Sequence, residues 1–236
     1  MFGISTFCLH KRPLAEALDS ISAYTRRVEV MDEGLHSLST AEPLENYTYE
    51  YHIHAPSRGV NIASLLEPIR RASVEVLTDC FAIAAEADAD VVVHPGYFAW
   101  LEERDAATAQ FGRSIAELSA AAREYSVRYY IENMGRWDYF FLRTPSELPM
   151  IGEVPLALDV GHAHQMGCLS EFLEYPAVHY HLHDNDGSAD SHLPVGEGSI
   201  DFRAVMNSVR RDGATPIVEV STLEGVAESI RRLEAL

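Results

Sequence analysis

Acidic and imidazole side chains recur along this chain at the ends of short apolar runs. Glu29 lies in VEV, His52 and His54 in YEYHIHA, His94 in VVVHP and Glu132 in YYIEN. Asp159 and His162 follow in LALDVGH, His181 and His183 in HYHLHD, and Glu219 in IVEV. Burying an unpaired carboxylate costs several kcal/mol, so an acid that ends a core-bound segment implies a partner there. Carboxylates and imidazoles are the donors that hold divalent cations, and a well-placed carboxylate can also remove and return a substrate proton. Any one of these residues has a plain structural explanation. Six successive runs, the third to the eighth, all ending in His, Asp or Glu point instead to a metal centre.

The runs that carry these residues are β-rich and lie at 2–8, 27–32, 49–55, 90–95, 127–133, 155–160, 178–184 and 216–221. Stretches of helical spacing separate them. These are 13–24 behind Pro13, 67–87 with Pro68, 105–125, 199–213 from a Ser199 cap to Gly213, and 222–236 from Thr222. The connections after the second, fifth and sixth runs hold at most a turn or two of helix. No Pro/Gly/Ser-rich linker or shift in composition divides the chain, so 1–236 reads as one domain. Eight strand–helix units make either a closed (β/α)8 barrel or a doubly wound open sheet. No GxGxxG follows the first strand, and the expectation is a short (β/α)8 TIM barrel. In that fold every strand's C-terminal end meets at one mouth. Strand parity puts residues 179, 181 and 183 on one face, with Tyr180 and Leu182 on the other. His181 then faces the mouth, His183 sits at its rim, and His179 is a structural residue one pleat deeper. His52 stands to His54 as His179 does to His181.

Composition narrows the partners. Lys and Arg number 18 against 36 Asp and Glu, a net charge of −18, and Lys11 is the single lysine. That surface repels polyanions, whereas bound divalent cations offset part of the charge. Cys8, Cys80 and Cys168 are scattered without a CxxC, which suits reduced thiols and a cytoplasmic setting. The N-terminus lacks the basic-then-apolar order of a signal peptide. No apolar run approaches the roughly 18 residues of a membrane span.

Taken together, HAP at 54–56, HPG at 94–96, IEN at 131–133, DVGH at 159–162, HLHD at 181–184, DSHLPVGEG at 190–198 and VE at 218–219 resemble the xylose isomerase-like TIM barrels. That family includes endonuclease IV and many sugar isomerases and epimerases. The motifs occur in family order over most of the chain. By resemblance to the isomerase branch, Glu132, Asp159, His181 and Glu219 hold one divalent ion, and Glu132 and Glu219 are the catalytic pair that exchanges protons with substrate. By resemblance to the endonuclease branch, His54, His94, His162, Asp190 and His192 join them to hold three zinc ions. Asp159 and His162 are then ligands separated by a turn at Gly161, and His164 is a wall residue. The implied cofactor is one to three divalent ions, whether Zn, Mn or Mg.

The implied substrate is a small sugar, sugar phosphate or related hydroxy-carbonyl compound. Glu29 or His162 would fix a substrate hydroxyl, and Arg136 would meet a phosphate or carboxylate. Trp100 and Trp137 would wall the site, and His183 would hydrogen-bond at its edge. Gripping a DNA duplex needs cations and aromatics around the mouth. The loops supply few cations, among them Lys11, Arg12, Arg58, Arg104 and Arg136, against the acidic MDEGLH after the second strand and Asp184, Asp186 and Asp190 in the seventh loop. Metal-dependent isomerisation or epimerisation is therefore the favoured chemistry. A metal-dependent endonuclease, another hydrolase or a metal binder are the alternatives. The Asp-x-His at 190–192 stands where sugar epimerases usually carry an arginine.

Overall fold

The computed structural model describes residues 2–236. Every β-rich run of the sequence contains a strand: β1 (Gly3–Ser5), β2 (Arg27–Met31), β3 (Glu50–His54), β4 (Asp90–Val93), β5 (Tyr129–Glu132), β6 (Leu156–Asp159), β7 (His179–Leu182) and β8 (Thr215–Val218). Each strand pairs in parallel with the next, and β8 returns to β1, closing the sheet into a barrel in chain order. Parallel neighbours need a crossover between them. Outer helices supply it: α1 (Leu14–Ile21), α2 (Glu42–Glu45), α3 (Glu67–Glu86), α4 (Arg104–Tyr125), α5 (Val160–Gln165), α6 (Leu169–Phe172), α7 (Phe202–Asp212) and α8 (Leu223–Glu234). The expected (β/α)8 TIM barrel is the fold.

The two long helices show why the sequence folds this way. α3 buries Leu77, Cys80, Phe81 and Ala84, and α4 buries Ala107, Phe111, Ser114, Leu118 and Ala122. These positions recur at three and four residues, so one stripe of each helix faces the barrel. Phe81 is fully buried with its ring 5.3 Å from that of Tyr129 on β5. α8 opens on Thr222, whose hydroxyl accepts from the Gly225 amide at 3.1 Å. α7 ends at Gly213, which takes the left-handed φ of 61° that a residue with a side chain resists.

Two sequence expectations shift by a few residues. The cap of α7 is Asp201, which accepts from the amides of Arg203 and Ala204, and not Ser199. The Ser199 hydroxyl bonds His164 Nε2 at 2.9 Å instead. Pro13 stands just ahead of α1 rather than inside its first turn. The thin crossovers are as short as expected. A 3-10 turn at Gly34–His36 and α2 follow β2, a 3-10 helix at Pro145–Ile151 follows β5, and α5 and α6 follow β6. Among the described residues no helix is long and apolar enough to cross a membrane.

Register completes the framework of the site. Met31 pairs with His54, His54 with Val92, and Asp159 with His181, so the donor residues end their strands at similar heights. Phe81→Ala should lower unfolding free energy by about 3–5 kcal/mol, read as a fall in the urea midpoint.

Candidate metal centre at the barrel mouth

The C-terminal strand ends bring four donors together at the bottom of the mouth. Glu132 of β5, Asp159 of β6, His181 of β7 and Glu219, just past β8, have ligand atoms all within 4.8 Å of one another, and all four are buried. Three carboxylates at that spacing repel one another strongly in a water-poor pocket. A divalent cation is the counter-charge such a donor set fits, with carboxylate and imidazole ligands suited to Zn, Mn or Mg. Ser5 steadies one member, its hydroxyl donating to Glu219 Oε1 at 3.3 Å.

Glu132 also belongs to a second group. Its Oε1 lies 2.8 Å from His181 Nδ1, while its Oε2 lies 2.8 Å from His94 Nε2 and 3.3 Å from His54 Nε2. The carboxylate therefore spans two clusters. A third lies beyond Asp159. Asp190 Oδ2 is 3.4 Å from His162 Nε2 and 3.3 Å from His192 Nε2. All nine residues of the metal expectation thus meet in one continuous patch.

Three of the imidazoles are aimed in the same way. His54 Nδ1 contacts the Ala55 carbonyl at 3.1 Å, His162 Nδ1 the Asn133 carbonyl at 2.9 Å, and His192 Nδ1 the Glu219 carbonyl at 2.8 Å. A carbonyl can only accept, so each ring carries a proton on Nδ1 and turns Nε2 into the mouth. This is the arrangement that orients metal-ligating histidines. Asn133 frames Asp159 on both sides, its Oδ1 accepting from the Asp159 amide at 2.7 Å and its Nδ2 donating to the Asp159 carbonyl at 3.0 Å. Asp159 in turn caps α5 by accepting from the His162 amide at 2.7 Å. The expected turn at Gly161 is the first turn of this helix, and a side chain there would strike the His183 ring.

Charge follows the geometry. Burial would push the Glu132 carboxyl up, but the His181 and His94 imidazoles outweigh it and hold the group well below its ordinary value. Asp159 is lowered in the same sense, burial being overcome by His162 and His183. For His54 burial favours the neutral ring, yet the Glu132 carboxylate wins and its pKa rises to about 9. His162 rises to about 10 against burial through Asp159 and Asp190, and His192 to about 9 through Asp190. His94 is the exception: burial dominates and its pKa falls.

The cavity above these donors has a volume of about 220 Å³. Phe7, His10, Met31, Glu33, Arg58 and Trp137 are among the residues of its wall. Of the six residues expected to meet substrate, Trp137 and His162 line it, edge-on to one another with ring centroids 5.2 Å apart. Trp100 stands at the cap of the 3-10 turn Leu101–Glu103 with 65 % of its surface exposed. The Arg136 guanidinium is drawn to the Gln165 carbonyl at 3.2 Å. His183 is not at the rim. It is fully buried behind Asp159, 3.1 Å from both carboxylate oxygens, and stacks on His192. Glu29 lies under the site, fully buried against His179 and His181.

The acidic loops also read differently in three dimensions. Asp184 is buried and accepts from the amides of Asn185, Gly196 and Ile200, tying down the seventh loop. Glu33 accepts from the amides of Ser57 and Arg58, fastening the second loop to the third. Phe7 and Met31 were missed because apolar residues at strand ends look like ordinary core. The strand-end rule applied to every residue type would have found Met31, which ends β2, whereas Phe7 lies in the 3-10 turn Thr6–Leu9 just past β1.

These features define a metal-suited mouth on a closed (β/α)8 barrel. A model of the xylose isomerase-like TIM barrel family matches residues 22–236, and the chain belongs to that family. The uncharacterized protein MJ1614 of Methanocaldococcus jannaschii is 30% identical over 228 residues, which covers 92% of this chain and 91% of that protein. Among solved structures, a D-tagatose 3-epimerase-like protein superposes with a TM-score of 0.91 at 28% identity, covering 99% of this chain and 96% of the other. The IOLI protein with a bound zinc atom shares the fold at a TM-score of 0.77 and 19% identity, covering 99% and 95%.

The raised imidazoles fix a pH signature for protein stripped of metal. Their folded pKa values exceed the unfolded value of about 6.5, so their contribution to stability is complete below that pH and is lost as pH climbs through about 9. The lowered carboxylates act in the opposite sense, their contribution being lost as pH falls below about 4. The melting temperature of EDTA-treated protein should therefore fall between pH 6.5 and 9, and added zinc should remove that fall. Separately, Gly161→Ala should cost about 1–3 kcal/mol by crowding His183, measured by chemical denaturation, and should weaken zinc binding.

Proposed function

We propose that this chain is a divalent-metal-dependent isomerase or epimerase acting on a small sugar or related hydroxy-carbonyl compound. The observation that carries the reading is the buried Glu132–Asp159–His181–Glu219 set under a cavity of about 220 Å³. The epimerase-like name of a protein 28% identical over nearly the whole chain favours the same chemistry.

An ion held by those four residues would polarise a carbonyl and its neighbouring hydroxyl, making the proton on the intervening carbon easier to remove. Glu132 and Glu219 reach the site from β5 and from the end of β8, strands on different sides of the barrel. One carboxylate takes the carbon-bound proton, and the other, starting protonated, returns one to the opposite face. The pair ends with its protonation exchanged, so no proton is gained or lost. Glu132 suits the base role because its neighbouring imidazoles keep it ionised. Trp137, Phe7 and Met31 shield the reacting carbon from water, and Arg58, ion-paired with Glu33 at 3.1 Å, sits at the edge of the cavity wall.

A second reading has its own observation. Glu132 bridges the four-donor set to His54 and His94, and Asp190 gathers His162 and His192 beside Asp159. That many donors suit a multinuclear centre and the hydrolysis of a small phosphate ester. The net charge of −18 disfavours a nucleic-acid substrate for either chemistry.

Incubating the protein with ketoses in deuterium oxide should place deuterium on the carbon beside the carbonyl, seen by proton NMR. Glu132→Gln and Glu219→Gln should each slow that exchange by about 10²–10⁴-fold. Phosphoester cleavage without any exchange, in protein carrying three zinc ions, would select the second reading.

A further inference from the structure

The interior of a (β/α)8 barrel is ordinarily packed with branched apolar side chains. Beneath the metal site this barrel is polar. Glu29, His52, His179 and His181 fill much of it, alongside a small apolar cluster of Val92, Tyr130 and Ala157. A carboxylate with no solvent exposure in that position is costly to keep, and the mechanism above gives Glu29 no task.

Its contacts supply one. Glu29 Oε1 lies 2.8 Å from His181 Nε2, and Oε2 lies 2.7 Å from His179 Nε2. Both are ion-pair contacts, with the carboxylate on the Nε2 side of each ring. On its other edge, His181 Nδ1 is 2.8 Å from Glu132 Oε1, 3.6 Å from Glu219 Oε2 and 3.8 Å from Asp159 Oδ2. His181 is thus reversed relative to its companions. His54, His162 and His192 aim Nε2 at the mouth with a neutral carbonyl behind Nδ1. His181 aims Nδ1, and the group behind it is a full carboxylate.

We propose that Glu29 is the positioning residue of the four-donor site, holding His181 as its Nε2–H form with the Nδ1 lone pair directed at the cation. The inference rests on the metal reading given above. A carboxylate 2.8 Å from Nε2 keeps the proton on that nitrogen and fixes the ring so that its more crowded Nδ1 edge faces the other donors. The negative charge of Glu29 also raises the donor strength of the ring, as outer carboxylates do for metal-bound histidines. His179 anchors Glu29 from below, so the carboxylate cannot swing away from His181.

The test uses the wild-type chain first. In zinc-loaded, nitrogen-15-labelled protein, long-range proton–nitrogen NMR should find His181 protonated at Nε2 and zinc-shifted at Nδ1. A proton on Nδ1, or zinc at Nε2, would overturn the proposal. Zinc affinity is then measured against a competing chelator. Glu29→Gln, which keeps the shape but loses the charge, should weaken the tightest site by about 10–100-fold, and Glu29→Leu should weaken it further. A purely structural Glu29 would instead lower the urea midpoint and leave zinc affinity and the His181 proton position unchanged, which also overturns the proposal. Protein that binds no zinc at all would remove the metal reading itself, an outcome distinct from zinc bound with the wrong ring nitrogen.

Discussion

Glu132, Asp159 and Glu219 crowd three carboxyl groups into a pocket poor in water, and the rest of the site exists to balance the negative charge they bring. Imidazoles do part of it, which is why His54, His162 and His192 all favour their charged forms despite burial. A bound cation would do the rest more compactly, displacing the imidazole protons and drawing the carboxylates toward one centre. The same requirement extends downward. Glu29 adds a fourth buried acid to the column, and His179 and His181 flank it at ion-pair distance. The polar interior of the barrel is one linked electrostatic arrangement rather than a set of separate sites.

The barrel makes this arrangement affordable. Eight strands in chain order put all their C-terminal ends on one rim, so each strand contributes one or two side chains and none must reach far. The outer helices bear the packing load through stripes such as Leu77–Phe81–Ala84, leaving the inner face free for residues chosen for chemistry. Loops reinforce the rim with buried acids of a different kind. Asp184 and Glu33 accept backbone amides and hold neighbouring loops in register. Their charge is spent on the scaffold, so the mouth is less acidic than its loop sequences suggest.

Family membership and donor count pull the chemistry in two directions. For the proposed isomerase chemistry the four-donor set alone would suffice. The adjoining His54–His94 and His162–Asp190–His192 groups provide donors beyond what one ion needs. Glu132 is the pivot, since a carboxylate shared between two groups can serve as a base or as a bridge, depending on how many cations are bound.

Much of this was legible in the sequence. The alternation of β-rich and helical runs specified the barrel, because period-two and period-3.6 patterns are local properties. Ending successive strands in His, Asp or Glu marked residues that the barrel brings together, because strand ends of a closed barrel converge whatever the details of packing. What only the tertiary structure decided was direction. Trp100 is exposed, Arg136 is captured by the Gln165 carbonyl, and His183 is sealed behind Asp159 instead of standing at the rim. Which nitrogen an imidazole presents depends on the group behind it, a carbonyl at position 133 or 219 in two cases and a carboxylate at position 29 in another. Those partners lie tens of residues away in the chain, so no local pattern encodes them.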